Sequence, residues 1–281
     1  MQIIANSKIS AVYFALLQCG YDFFHIERSK DHINALKRFI SAAQCPEFFD
    51  EVRQNTCEVY PYWPRAFLLE TAAHFIDDAS FEYRHFDSFR EKIFSASNIS
   101  NEERGKAFWD WIIRFPDALS SVMHSKRFAE YLAFVKQWVE KQNALHKDEL
   151  DLIQKCLESC AEQYGSAVRT IEICLDPIKC VYSSDYIMLD SRFVFTSGAL
   201  RTDAVVHEFL HHVVHPYIEK NRSEVLKLKP ILNDLDGSYY LAGDDAGILN
   251  AFEEHLVRAL SADMLVGELP HDLNEYIFKH N

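Results

Sequence analysis

An α+β fold, predominantly helical, is what this sequence predicts, and three observations carry the prediction. Glycine is scarce, 8 in 281 residues, which favours helix over extended structure and tight turns. Apolar residues recur at helical spacing through most of residues 1–165. After Gly165 the texture turns alternating and β-branched before helical spacing returns. A boundary is therefore expected near residue 165, with a helical region over 1–165 and a second region over 166–281 that holds a small sheet and then helices. The two halves can still share one core.

Each element has its own signal. "NSKISAVYFALLQCG" opens on capping residues and closes on Gly20, so residues 7–19 read as a buried helix. A secretory signal is not expected there, because the early cation is Lys8 alone and Tyr13 and Gln18 interrupt the apolar run. No other stretch approaches the ~20 apolar residues that cross a bilayer. "KDHINALKRFISAAQ" places Ile33, Leu36, Phe39 and Ile40 on one helical face, and the stretch from Ser125 to Gly165 reads as two consecutive helices. The aromatic clusters "YPYWPRAF" and "KAFWDWIIRF" are expected in the core. "AVRTIEICL" is a strand, and two more short strands follow around residues 185–190 and 191–195, closed by Ser197-Gly198.

Charge and cysteine content exclude several roles. The formal net charge is −13 with no basic stripe, so a nucleic-acid backbone or an anionic membrane is repelled on average, and neither is an expected partner. Seven cysteines without a CxxC pair fit a reducing compartment, so a cytoplasmic location is expected. Cys156, Cys160, Cys174 and Cys180 are spaced too widely for zinc knuckles and read as buried structural thiols.

The chemistry concentrates in "DAVVHEFLHHVVHPY", residues 203–217. Val205, Val206, Phe209, Leu210, Val213 and Val214 repeat at helical spacing, Thr202 or Asp203 can cap the start, and Pro216 is expected to end the helix. His207 and His211 then stand one turn apart on one face, where both imidazoles reach a single ion, with Glu208 beside them. This is the HExxH arrangement of zinc hydrolases. A tetrahedral catalytic zinc takes three protein ligands and a water, so a third ligand is required. His215 lies two turns from His207, too far along the axis, and Tyr217 occupies the position at which one HExxH class has its third histidine. A later helix, "DAGILNAFEEHLVRALSADML", supplies two adjacent carboxylates, Glu253 and Glu254. Its apolar stripe favours Glu253, and from the residues alone the choice stays open.

HExxH followed on a second helix by a glutamate resembles the gluzincin metallopeptidases. "HEFLHHVVHP" with "EEHLVRA" is similar to an uncharacterised bacterial group within that clan, over roughly residues 185–262. The resemblance implies a zincin-like C-terminal half with one Zn2+ per chain, held by His207, His211 and Glu254, with Glu208 as the catalytic glutamate and Arg258 one turn after Glu254. Glu253 stands where that group usually has Asn. The implied activity is peptide hydrolysis by a zinc-activated water, with Glu208 as general base and a peptide or protein as substrate. "YIMLDSRFVF" is a candidate edge strand for an extended peptide, or an internal strand serving only the fold. Tyr239 and Tyr240 are candidate oxyanion donors, and His212, His215 and His255 read as supporting, capping or surface residues. The alternative is a catalytically inactive zincin-like or helical protein that acts as an interaction module.

Overall fold

The computed structural model describes residues 1–19, 30–39, 47–51, 66–96, 110–181, 183–234 and 245–265. Strand β1 (Ile3–Ile4) opens the chain, followed by helices α1 (Ser7–Gln18), α2 (Lys30–Lys37), α3 (Phe67–His74), α4 (Phe86–Ala96), α5 (Phe115–Met123), α6 (Lys126–Leu145) and α7 (Lys147–Tyr164). Strands β2 (Thr170–Leu175), β3 (Asp185–Leu189) and β4 (Arg192–Ser197) come next, and then helices α8 (Thr202–Lys220) and α9 (Asp245–Leu265), with short helical turns between them. The predominantly helical α+β expectation holds.

Helix α1 starts where the Asn6 side chain accepts from the backbone of Lys8 and Ile9, and its residues Ile9 to Leu17 are all buried. It packs against α3, α5 and α6. Helix α7 ends at Gly165, whose φ of +78° lies in the positive region that glycine enters without steric penalty. Within "KAFWDWIIRF", Trp111, Ile112 and Phe115 are buried as expected, whereas "YPYWP" lies outside the described residues. Cys19, Cys156, Cys160, Cys174 and Cys180 are all buried, and burial lifts the Cys160 thiol to about 12. Among the described residues, no helix is long and apolar enough to cross a membrane.

The sheet has the order β1-β2-β4-β3, with β1 and β4 parallel to β2 and with β3 antiparallel to β4. Hairpin β3–β4 turns at Asp190, which takes a φ of +55°. Strand β1 is not legible in the sequence, since two residues are too short to display alternation. It is held by Asn143 of α6, whose amide oxygen accepts from Ile3 N at 2.8 Å and whose amide nitrogen donates to Ile3 O at 2.8 Å. That side chain covers the backbone groups an edge strand would otherwise expose. One hydrophobic cluster joins Tyr13, Leu68, Phe115 and Tyr131 to Phe193, Phe195, Phe209 and Val257, so residues on both sides of position 165 share a core.

A charged group is buried within that core. Lys179, fully buried, donates to Glu70 Oε1 at 2.6 Å, to Asp185 Oδ2 at 2.7 Å and to the Tyr13 hydroxyl at 3.0 Å. The Tyr13 hydroxyl in turn donates to Glu70. Helices α1 and α3 are thus tied to strand β3 and to the loop before it. Nearby, a Cβ at Gly198 would lie 2.1 Å from the Lys179 carbonyl oxygen, so only glycine fits where β4 leaves the sheet.

Candidate metal centre

The candidate site depends on where α8 begins, how far it runs and what it faces. Thr202 and Asp203, expected as caps, do not serve that way. Arg201 takes the N-cap position without a side-chain cap bond, and Asp203 is paired with Arg201 instead. Glu149 of α7 fills the role, because its Oε1 accepts from Thr202 N at 3.2 Å and from Thr202 Oγ1 at 2.9 Å. A carboxylate at a helix N-terminus satisfies unpaired N–H groups and complements the dipole. Its other oxygen meets His146 Nδ1 at 2.7 Å.

Pro216 does not end α8, contrary to the expectation from its position, and the helix continues to Lys220. Proline there removes the bond to the carbonyl of residue 212. The extra turn is held from outside: Ile218 is buried, and the Tyr217 hydroxyl donates to Tyr164 O at 2.8 Å. Helix α8 packs against α7 on one side and α9 on the other, with β3 and β4 also in contact. Val205, Val206, Phe209, Leu210, Val213 and Val214 are buried, which leaves the His207–His211 face turned toward α9.

Three donor atoms converge between these helices. His207 Nε2 and His211 Nε2 lie 3.1 Å apart, Glu254 Oε1 is 3.4 Å from His211 Nε2, and Glu254 Oε2 is 3.6 Å from His207 Nε2. Glu254 meets the two imidazoles with different oxygens, and with one ligand atom from each residue the three lie within 4.8 Å of one another, close enough for a single first-row divalent ion to be reached by all three. His207, His211 and Glu254 could hold a metal ion, and among the described residues they are the single such group. Two imidazoles and a carboxylate suit zinc, although the same donors also accept neighbouring transition metals.

Glu253 takes a different position. It is 8% exposed, and its Oε1 meets His211 Nδ1 while its Oε2 meets His215 Nδ1, each at 2.8 Å. The adjacent carboxylates therefore address opposite nitrogens of His211, Glu254 on the Nε2 side and Glu253 on the Nδ1 side. Arg258, one turn after Glu254, places its Nε 3.7 Å from Glu254 Oε2.

Electrostatics follow from this packing. Burial, reinforced by His211, lowers His207 to about 4. Burial would also lower His211, but hydrogen bonds to Glu253 and Glu254 outweigh it and raise the group to about 10. Against the pull of burial, bonds to His211 and His215 bring Glu253 down to about 2, and His211 likewise lowers Glu254. A metal ion bound at Nε2 would compete with a proton on the Glu254 side of His211 only, since Glu253 meets Nδ1.

Glu208 is half-buried and close enough to act electrostatically on both His211 and Tyr186. His212 lies elsewhere, its Nε2 3.2 Å from Ser166 Oγ and its ring edge-on to Phe209, and His255 is exposed. Tyr239 and Tyr240 lie outside the described residues. Two neighbours are not apparent from the sequence. Tyr186 of β3, stacked on Phe193, is near Glu208 and Glu253, and burial, reinforced by those carboxylates, raises its hydroxyl. Glu253 bridges two histidines, which the four-residue spacing of His211 and His215 could have signalled, because both face the same way. Compared with known proteins, the chain matches no family model, no curated protein and no solved structure.

Proposed function

We propose that this chain is a zinc-dependent metallopeptidase of the gluzincin type, a cytoplasmic hydrolase of peptide bonds whose residues 166–281 form a zincin-like unit. The observation that carries this reading is the convergence of His207 Nε2, His211 Nε2 and Glu254 at 3.1–3.6 Å, with Glu208 next to them on α8. Chance placement of an HExxH pattern gives no reason for a carboxylate from a helix about 40 residues later to meet both imidazoles.

When bound, one Zn2+ per chain supplies a water whose pKa lies near neutrality and polarises the substrate carbonyl. His207, His211 and Glu254 hold the ion. Glu208 takes the proton from the attacking water and returns it to the leaving amine, a role suited to a carboxylate beside but outside the donor set. Arg258 steadies Glu254. Strand β3 pairs with β4 on one side only among the described residues and packs near α8, which suits addition of an extended peptide along its other edge.

The test is metal analysis joined to an unbiased peptide-library digest. Wild-type protein is expected to carry about one zinc per chain, His207→Ala to lose it, and Glu208→Gln to keep the metal while hydrolysis falls by at least about 100-fold. Protein that contains no metal and gains none on zinc addition would end this reading.

A further inference from the structure

The contacts of Glu253 go beyond packing, and their meaning rests on the proposed zinc site of His207, His211 and Glu254. A carboxylate only accepts hydrogen bonds, so each imidazole nitrogen 2.8 Å from Glu253 must carry the hydrogen. His211 is therefore protonated at Nδ1, and in its neutral form the lone pair sits on Nε2. Nε2 is the nitrogen that faces His207 and Glu254. The second oxygen is engaged by His215 on the outer side, where that ring is half exposed. With both oxygens occupied, the carboxylate has no freedom to swing into the space between the donor atoms.

We propose that Glu253 is a positioning residue that fixes the ligating tautomer and ring plane of His211, and that His215 is its outer anchor. Because its two oxygens engage one imidazole each, Glu253 brings His215 into the support of the metal centre. Residues that support metal ligands in this way are worth tenfold to a hundredfold in metal affinity.

The experiment measures zinc affinity by chelator competition, and the visible spectrum of the cobalt-loaded protein, for wild type, Glu253→Ala, Glu253→Gln, His215→Ala and Glu254→Ala. Glu253→Ala is expected to weaken zinc binding by about 10- to 100-fold and to shift the cobalt bands. Glu253→Gln, whose amide oxygen still accepts from His211, is expected to lose less, and His215→Ala less than Glu253→Ala. Glu254→Ala is expected to lose the metal altogether. If Glu253→Ala fails to fold, Glu253→Gln and His215→Ala carry the test, and both matching the wild type in affinity and spectrum overturns the proposal. Wild-type affinity in a folded Glu253→Ala also overturns it. So does retention of metal by Glu254→Ala with its loss in Glu253→Ala, because Glu253 would then be the ligand itself. A wild-type protein that takes up neither metal overturns the metallopeptidase reading as well, which separates the two failures.

Discussion

Neighbouring side chains on a helix diverge by about 100°, and at positions 253 and 254 that divergence separates two tasks. The apolar stripe of α9 points to Glu253, and Glu253 is indeed the more buried carboxylate at 8% exposure. Its burial places it against the Nδ1 sides of His211 and His215, however, and leaves Glu254 to meet the two Nε2 atoms. Periodicity reports which way a residue faces, not which nitrogen it will find there. His74 of α3 supports a separate prediction. Burial, with Lys8 and Arg192 adding to it, lowers its imidazole from 6.5 to about 3. The folded protein keeps the ring neutral between those values, while the unfolded chain takes up a proton below 6.5. Stability should therefore fall as pH drops from 6.5 toward 3, by up to about 1.4 kcal/mol per pH unit from this group, with no contribution above that window. Urea unfolding across the range should give a flatter acid limb in His74→Gln, and parallel curves for the two proteins would refute the assignment.

Elements with a full period in the sequence are readable from it, and those built by distant partners are not. Helices α1, α6, α7, α8 and α9 and the β3–β4 hairpin follow their apolar spacing and Gly165. The start of α8 is misjudged from its local residues because its cap comes from Glu149, 53 positions away in the chain, rather than from the helix's own first turn. Glu149→Ala is expected to lower stability by about 1 kcal/mol and to speed amide exchange in the first turn of α8, as loss of a cap does. Unchanged exchange at residues 202–205 would show that the contact carries no weight. The passage of α8 through Pro216 is equally hidden, since what holds the following turn is Tyr164 on another helix.

On the scale of the whole molecule, the boundary expected at residue 165 marks a change of texture within a shared core. The Lys179 group is hidden in the sequence because a lysine in a loop is ordinarily solvated, and nothing local to "PIKCVY" reveals that Glu70 and Tyr13 will close over it. Removing the cation leaves Glu70 and Asp185 buried without their partner, so Lys179→Met should lower unfolding free energy by about 3–5 kcal/mol in chemical denaturation. A loss below about 1 kcal/mol would mean that the group is dispensable.

Strand β1 gives this architecture a timing constraint. Ile3 and Ile4 pair with Ile173 and Cys174, and at about 5–20 residues per second of synthesis the partners reach the growing chain roughly 10 to 30 s apart. Through that interval the first strand has no sheet to join, and the helices after it must form while it waits. The first strand to leave the ribosome is thus one that cannot pair until β2, about 170 residues later, has been made.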